Sequence, residues 1–275
     1  MSKVANKGGV TVPIIRQSKG ERKVSMITAY DYPFAQLADQ AGLDIILVGD
    51  SLAMVVLGHE DTLSLTMDEM IHHCKPVSRA ANNALVVGDM PFLSFNKSTA
   101  QAVHNAGRMV KEGGVRAVKL EGAFHILDQI RAITDTGIPV MGHIGLTPQR
   151  INEYGGFKVQ GKEDGATERL IKEAQALEHA GCFCMVLEAI PAEVAKAVTD
   201  AISIPTIGIG AGPDCNGQVL VIHDILGLYD RFVPKFVKQY AQLAQDITQA
   251  LTRYKAEVEA GTFPSQDHSF HLPTS

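Results

Sequence analysis

The chain has 275 residues, 45% of them hydrophobic, and a formal net charge of −5 without a cluster of basic residues. This length permits one large domain or two small ones, and the charge gives no indication of a nucleic-acid partner. Four cysteines do not indicate a disulfide framework. There is neither a signal peptide nor an apolar run of the roughly 20 residues that a membrane span needs, so we expect a soluble, cytoplasmic protein without a membrane partner.

Short apolar runs recur along the chain, and most of them end on a polar residue. In the second run, four consecutive aliphatic residues follow Gly42 and end at Gly49 and Asp50. Such a run is typical of a strand covered on both faces, as in a parallel sheet. The pattern predicts strands at residues 24–28, 45–50, 85–89, 115–121, 138–143, 183–188, 205–209 and 218–223. The connection before the last run is too short for a full helix, which leaves the path of that strand open.

Helical patterns occupy most of the connections between the strands. The predicted helices include residues 32–40, a helix that begins after Thr66, residues 99–112, 124–134 and 164–179, and a segment opened by Pro191. Thr66 and Glu69 have the spacing of a capping box at the start of one of them. Residues 233–260 carry apolar side chains at helical spacing and predict a long C-terminal amphipathic helix. At the other end, residues 1–9 predict a flexible tail and residues 10–15 a short docking segment.

The regular alternation of strands and helices favours one parallel α/β domain over the whole chain, residues 1–275. An open doubly wound sheet gathers its site at one crevice, where the strand order reverses. Here polar residues end nearly every strand, which is typical of a barrel with its site on the C-terminal rim. We therefore predict a single-domain (β/α)8 TIM barrel with an N-terminal extension and a long C-terminal helix.

Three of the strand-end residues are acids: Asp50, Asp89 and Glu121. They lie about one βα unit apart, which in a barrel places them on adjacent strands and within reach of one ion. Alternation along the strand puts Asp50 on the same side as Ile46 and Val48, a side that we expect to face inward. Carboxylate oxygens without nearby histidine or cysteine partners suit Mg²⁺. A lone strand-end aspartate more often caps a helix or forms a salt bridge, but three in successive units favour a site.

Further candidate residues share this rim. Lys119 stands two residues before Glu121 and points the same way, so that it can neutralise a carboxylate or bind an anionic substrate. Glu188 ends a strand on the far side of the barrel and has the placement of a general acid or base. His143 is a candidate neighbour behind the metal ligands, although a buried histidine alone is more often a satisfied core residue.

Six short motifs occur in a fixed order along the chain. They are residues 28–31 (TAYD), 48–52 (VGDSL), 88–92 (GDMPF), 118–122 (VKLEG), 141–149 (MGHIGLTPQ) and 208–212 (GIGAG). In this order they resemble the motifs of the ketopantoate hydroxymethyltransferase (3-methyl-2-oxobutanoate hydroxymethyltransferase) family. The resemblance runs from about residue 10 to residues 268–270, and several long motifs in register are far more specific than any single one.

The resemblance implies a (β/α)8 barrel that transfers a hydroxymethyl group from 5,10-methylenetetrahydrofolate to 3-methyl-2-oxobutanoate. The product is 2-dehydropantoate, and the reaction is the first committed step towards pantothenate and coenzyme A. By position, the resemblance implies Mg²⁺ ligands at Asp50, Asp89 and Glu121, keto-acid contacts at Asp50, Ser51, Asp89 and Lys119, and a proton acceptor at Glu188. It also implies a homo-oligomer, typically a decamer. Loss of the C3 proton creates an enolate, which we expect a metal to stabilise as a Lewis acid.

Two alternatives stay open at this point. A lyase of the phosphoenolpyruvate mutase and isocitrate lyase type would use a similar metal-enolate site, but usually needs a cysteine in a loop after a strand, which we do not find. A barrel without catalytic activity, serving as an assembly or binding scaffold, is the second alternative. The intact set of acids with Lys119 speaks against it.

Overall fold

A computed structural model describes residues 8–229 and 233–272 of the chain. Within them, eight parallel strands form a closed barrel in which each strand pairs with the next and β8 pairs with β1. The strands are β1 (Val24–Thr28), β2 (Ile45–Val48), β3 (Leu85–Asp89), β4 (Ala117–Glu121), β5 (Val140–Gly145), β6 (Cys184–Glu188), β7 (Thr206–Ile209) and β8 (Gly217–Leu220). The predicted (β/α)8 barrel is confirmed.

Helices follow the strands, as the sequence predicts. They are α1 (Val12–Gln17), α2 (Tyr32–Gln40), α3 (Leu52–Val55), α4 (Met67–Ala80), α5 (Thr99–Lys111), α6 (Leu127–Asp135), α7 (Ile151–Tyr154), α8 (Ala166–His179), α9 (Ala192–Ala201), α10 (Ile222–Ile225) and α11 (Leu243–Glu259). The capping box of α4 is confirmed, because the Glu69 N–H donates to Thr66 Oγ1 over 3.2 Å and the Thr66 N–H to Glu69 Oε2 over 2.8 Å.

One face of every strand packs into the barrel interior. On β2 this face is formed by Ile45 and Leu47, which belong to one buried cluster with side chains from the other seven strands. The expectation that Ile46, Val48 and Asp50 face inward is therefore wrong for the strand itself. Because β2 ends at Val48, Asp50 lies beyond the alternation and takes its direction from the turn that follows.

The N-terminal extension reaches the barrel core. Ile15 of α1 is fully buried and belongs to the cluster of inward-facing strand residues, which confirms a docking segment. The predicted flexible tail is wrong at Gly9, which is buried, and the Val10 N–H donates to the carbonyl of Asn83 over 2.6 Å. Gly8 is exposed, and the part of the prediction for residues 1–7 lies outside the described residues.

Two boundaries near the C-terminus differ from the prediction. The eighth strand ends at Leu220, and His223 lies in α10 instead. The C-terminal amphipathic helix is confirmed, but it begins at Leu243 and not at Val233. The segment before it turns back on the chain, because the Tyr240 N–H donates to the carbonyl of Ile225 over 2.7 Å. That backbone bond replaces the helical one that periodicity alone would predict.

The described residues group into two compact units, one ending at Ile222 and one beginning at His223. The first contains the barrel and the second contains α11. That the whole chain forms one domain stays a prediction. In the described parts of the chain, no helix combines the length and the apolar character that crossing a membrane requires.

Candidate active site

Three buried carboxylates meet at the rim where β2, β3 and β4 end. Asp89 is the last residue of β3 and Glu121 the last residue of β4, while Asp50 stands two residues after β2. One oxygen from each carboxylate lies within 4.8 Å of the other two. The convergence that the spacing of these acids predicts is therefore present, on three adjacent strands.

Asp50 reaches the rim through an early turn. The Leu52 N–H donates to the carbonyl of Gly49 over 3.1 Å, and the Ala53 N–H to that of Asp50 over 3.0 Å. Ser51 already has helical backbone angles, with φ −52° and ψ −17°. The chain thus leaves the strand at Gly49, and the Asp50 carboxylate is held among the groups of the rim although the strand's alternation alone would turn it outward.

In two of the carboxylates, one oxygen is bound by the protein and the other has no hydrogen-bond donor. Asp89 Oδ2 accepts from Lys119 Nζ over 2.5 Å and from the Asp50 N–H over 3.3 Å. Glu121 Oε2 accepts from the Gln149 N–H over 3.0 Å. Asp89 Oδ1 and Glu121 Oε1 are buried without a hydrogen bond. A buried carboxylate oxygen without a donor is costly, so these atoms point to a ligand that is positively charged.

Charge leads to the same conclusion. The four acids of this rim face two basic side chains, Lys119 and His143, which leaves an excess of two negative charges when all are ionised. Burial, together with Asp89 and Glu121, raises the pKa of Asp50 well above its usual value. Burial lowers the pKa of Lys119, but the three carboxylates outweigh it and raise that pKa. Lys119 is therefore a permanent cation, and the remaining excess matches one divalent ion.

Glu188 and His143 lie next to this cluster, further round the rim. Glu188 ends β6, and His143 Nε2 lies 3.2 Å from Glu188 Oε2, while His143 Nδ1 lies 3.2 Å from Glu121 Oε1. These distances are those of ion pairs, but the angles are not those of hydrogen bonds. Burial and Lys119 lower the pKa of His143, whereas Glu121 and Glu188 outweigh them and raise it to about 9.

Glu188 does not join the group of converging carboxylates among the described residues. His143 stands between it and Glu121, and its imidazolium separates the two acids. The Glu188 side chain also retains 19% exposure, whereas that of Glu121 retains 3%. Glu188 is thus the acid of the rim that is open to a substrate and separate from the proposed ligands.

Two buried residues that sequence reasoning did not single out complete the site. The Tyr30 hydroxyl lies 2.8 Å from Ser51 Oγ, beside the first proposed ligand. Gln149 Nε2 donates to Asp50 Oδ2 over 3.0 Å and to the carbonyl of Met90 over 3.0 Å. Both residues belong to the motifs quoted above, TAYD and MGHIGLTPQ. Position in a motif was the signal that could have found them, because neither residue type indicates chemistry by itself.

A comparison with known protein families identifies the family of this chain. The sequence model described as ketopantoate hydroxymethyltransferase matches residues 9–266. The chain belongs to the ketopantoate hydroxymethyltransferase family. A relative named 3-methyl-2-oxobutanoate hydroxymethyltransferase, from Syntrophobacter fumaroxidans (strain DSM 10017 / MPOB), is 61% identical over 266 residues, which cover 97% of this chain and 94% of the relative. The chain is therefore an enzyme, a transferase, as the resemblance of its motifs implied.

Solved structures of other enzymes share the fold of this ketopantoate hydroxymethyltransferase family member. One is 2,3-dimethylmalate lyase, a PEP mutase/isocitrate lyase superfamily member, with a TM-score of 0.58 and 14% identity over 94% of this chain and 91% of that one. Another is phosphonopyruvate hydrolase in complex with oxalate and Mg²⁺, with a TM-score of 0.59 and 12% identity over 94% and 93%. Such identities show the barrel fold alone.

No cysteine of this ketopantoate hydroxymethyltransferase family member belongs to the group of converging side chains at the rim, among the described residues. All four are buried and reduced, namely Cys74, Cys182, Cys184 and Cys215. Cys215 follows β7, but its carbonyl accepts from Lys23 Nζ over 2.5 Å, next to the start of β1 and thus at the opposite end of the barrel. Burial raises the pKa of Cys182 to about 12. All four thiols are buried, which does not favour acid or nucleophilic chemistry by a cysteine.

Proposed function

We propose that the enzyme transfers a hydroxymethyl group from 5,10-methylenetetrahydrofolate to 3-methyl-2-oxobutanoate, which gives 2-dehydropantoate, and that it requires Mg²⁺. Membership of the ketopantoate hydroxymethyltransferase family supports the substrates. The observation that carries the metal is the convergence of three buried carboxylates, two of which present an oxygen without a hydrogen bond. The presence of Mg²⁺ in the related barrel of phosphonopyruvate hydrolase agrees with this choice.

Asp50, Asp89 and Glu121 would hold the ion. Hard carboxylate oxygens are the ligands that Mg²⁺ prefers, and it usually keeps further positions for water and substrate. When bound, Mg²⁺ would supply a Lewis acid for the 2-oxo group of the substrate. The excess of two negative charges over Lys119 and His143 is what a divalent ion neutralises, so ion and cluster fit in charge as well as in donor type.

We assign the keto-acid contacts to Asp50, Ser51, Asp89 and Lys119. Lys119 is buried and permanently charged. It can therefore bind an anionic substrate in addition to its contact with Asp89. Ser51 follows Asp50 in the turn after β2 and offers both a hydroxyl and an N–H to a carboxylate. Its hydroxyl lies 2.8 Å from that of Tyr30, which fixes its position. These groups would orient the keto acid with its reacting C3 carbon towards Glu188.

We assign proton transfer to Glu188. Removing the proton from C3 of a 2-oxo acid needs a base whose carboxylate the substrate can reach. Glu188 meets this condition, because it is partly exposed and lies outside the group of ligands. Its carboxylate would take the C3 proton, after which C3 bonds to the one-carbon unit of the folate. As this carbon–carbon bond forms, one of the two carbon–nitrogen bonds that hold the methylene group on the folate breaks, and its nitrogen takes up a proton. Water then replaces the second nitrogen at the methylene carbon, which supplies the oxygen of the new hydroxymethyl group and releases tetrahydrofolate.

Glu188→Gln tests the base directly. The amide has nearly the same shape but cannot accept the proton, so we expect Mg²⁺ and keto-acid binding to persist while C3 proton exchange in D₂O falls about 10²- to 10⁴-fold, the typical contribution of a general base. Exchange is measured by NMR, and binding by calorimetry. Glu193→Gln, a substitution at an exposed position in α9, is the matched control. Undiminished exchange in Glu188→Gln would remove Glu188 from this role.

Product analysis separates the remaining alternatives. Incubation with 3-methyl-2-oxobutanoate, 5,10-methylenetetrahydrofolate and Mg²⁺ should yield 2-dehydropantoate. In parallel incubations with Mg²⁺, cleavage of 2,3-dimethylmalate or phosphonopyruvate would indicate a lyase of the PEP mutase/isocitrate lyase type, and no turnover of any of these substrates would indicate a scaffold. Family membership and the positions of the buried cysteines both favour the transferase.

We further propose that the enzyme is a homo-oligomer, a decamer by resemblance to its family, and that it is cytoplasmic. The second unit supports assembly, because large apolar side chains of α11 are exposed, among them Ile247, Leu251, Tyr254 and Val258. Exposed apolar patches of this kind mark interaction surfaces. Sedimentation analysis of the purified protein measures the number of subunits, and a monomer at micromolar concentration would contradict the proposal.

A further inference from the structure

We infer that Gln149 is a positioning residue, which holds the Asp50 and Glu121 carboxylates ready for the divalent cation; the inference rests on the proposed metal site. Gln149 meets Asp50 with its amide nitrogen, which donates hydrogen bonds and has no lone pair to offer a metal. It acts through the two acids that it contacts. Its backbone N–H donates to Glu121, and its side-chain amide donates to Asp50.

Gln149 reaches the site from the loop after β5. It lies in a short 3₁₀ helix, Pro148–Arg150, and retains only 6% exposure. Since the first N–H groups of a helix lack partners within it, the Gln149 N–H is free to donate to Glu121 Oε2 over 3.0 Å. The neighbouring Leu146 N–H donates to the carbonyl of Glu188 over 2.8 Å, so the loop is tied to β6 as well as to β4.

The orientation of the Gln149 side chain is determined by its partners. Nε2 donates one hydrogen to Asp50 Oδ2 and the other to the carbonyl of Met90, each over 3.0 Å. Both partners are acceptors, so rotating the amide by half a turn would bring its oxygen against two oxygens. The Met90 carbonyl therefore holds the amide in the one orientation that supports Asp50.

As a result, the two oxygens of each acid have different roles. Gln149 binds one oxygen of Asp50 and one oxygen of Glu121, and Glu121 Oε1 is left without a hydrogen bond. Residues that orient metal ligands in this way typically contribute 10- to 100-fold to metal affinity. Without the side-chain amide, Asp50 would have to be ordered by the ion itself, and the ordering would reduce the free energy of binding.

Gln149→Met tests the inference, because methionine has a similar length and lacks the amide, while the backbone N–H to Glu121 is kept. Mg²⁺ alone is titrated into metal-free protein by calorimetry at 25 °C, after circular dichroism has shown each variant to be folded. We expect Mg²⁺ to bind about 10- to 100-fold more weakly. Gln36→Met, at an exposed position of α2, is the control and should leave the affinity unchanged.

Kinetics provide a second readout that a purely structural role would not give. If Gln149 acts through the metal ligands, the Mg²⁺ concentration for half-maximal rate should rise as the affinity falls, while kcat at saturating Mg²⁺ stays within about threefold of wild type. Gln149→Asn, which withdraws the amide by one methylene, should behave in the same way. It replaces Gln149→Met if methionine does not fold.

The outcomes separate this inference from the proposed function. If wild type binds Mg²⁺ and a folded Gln149 variant binds it with an affinity within threefold of wild type, the positioning role alone is overturned. Wild type that binds no Mg²⁺ overturns the proposed metal and the inference together. Failure of both Gln149 variants to fold would make Gln149 a residue of the fold and would also refute the inference.

Discussion

Replacing Lys119 with methionine should destabilise the metal-free enzyme and at the same time tighten its binding of Mg²⁺. Lys119 is 4% exposed, with Nζ 2.5 Å from Asp89 Oδ2 and 3.5 Å from Glu121 Oε1. Methionine fills much of the same volume but leaves His143 as the one remaining basic side chain within 4 Å of the three buried carboxylates among the described residues. Breaking a buried ion pair by removing one partner typically costs about 3–5 kcal/mol, a large share of the about 5–15 kcal/mol that stabilises a folded protein.

Lys119→Met should lower the stability of the metal-free enzyme but raise its affinity for Mg²⁺. Without Lys119, the acids carry an excess of three negative charges and not two, so we expect Mg²⁺ to bind at least about tenfold more tightly, about 1.4 kcal/mol. At a fixed, saturating Mg²⁺ concentration this adds the same free energy to the stability of the loaded enzyme. Keto-acid affinity should fall, because the substrate loses its cation.

Thermal unfolding with and without Mg²⁺ measures both effects. At about 2–4 °C per kcal/mol, metal-free Lys119→Met should unfold about 6–20 °C below wild type. The increase in Tm on adding Mg²⁺ should be about 3–6 °C larger in the variant, by the same conversion. Lys111→Met, at an exposed position of α5, is the matched control. Equal Tm values for variant and wild type under both conditions would refute the electrostatic reasoning.

Two further predictions address the ligands and the fold. Asp89→Ala should abolish the Mg²⁺-dependent part of keto-acid affinity, and calorimetry with and without Mg²⁺ would show equal affinities. Asp39→Ala should lower the free energy of unfolding at pH 7 by about 2–4 kcal/mol, because three backbone N–H groups at residues 82–84 lose a charged acceptor. Burial would raise the pKa of Asp39, but these hydrogen bonds outweigh it and lower the pKa, so the contribution is present above about pH 4 and is lost as pH falls further. Urea unfolding at pH 7 and pH 3 measures it, and an equal difference between variant and wild type at both values would contradict it.

The strands and the acids at their ends were predictable from the sequence, for a geometrical reason. Parallel strands of a barrel all end at one rim, so a polar residue that closes an apolar run is placed there whatever the loops do. Asp89, Glu121 and Glu188 are the last residues of their strands and follow this rule. Asp50 reached the same rim by another route, since it depends on the turn at Gly49.

The connections across the site were not predictable from the sequence. Gln149 lies 99 residues after Asp50 along the chain, and its contact depends on the path of the loop after β5. The C-terminal helix shows the same limit. Its periodicity predicts a start at Val233, but the helix begins only at Leu243, after the backbone hydrogen bond between Tyr240 and Ile225. Local patterns determine which segments are strands and helices, but contacts between distant loops depend on tertiary structure.

The hydrogen bonds of the rim explain why the acids can be both buried and ready for a cation. Lys119 and Gln149 bind Asp89 Oδ2 and Glu121 Oε2, which fixes each carboxylate by one oxygen and leaves the other without a hydrogen bond. If both oxygens were bound, an ion would have to displace protein donors; if neither were, it would have to order two mobile side chains. Because the positions are set before the ion arrives, little binding energy is needed for reorganisation, which is the condition for a preorganised electrostatic site.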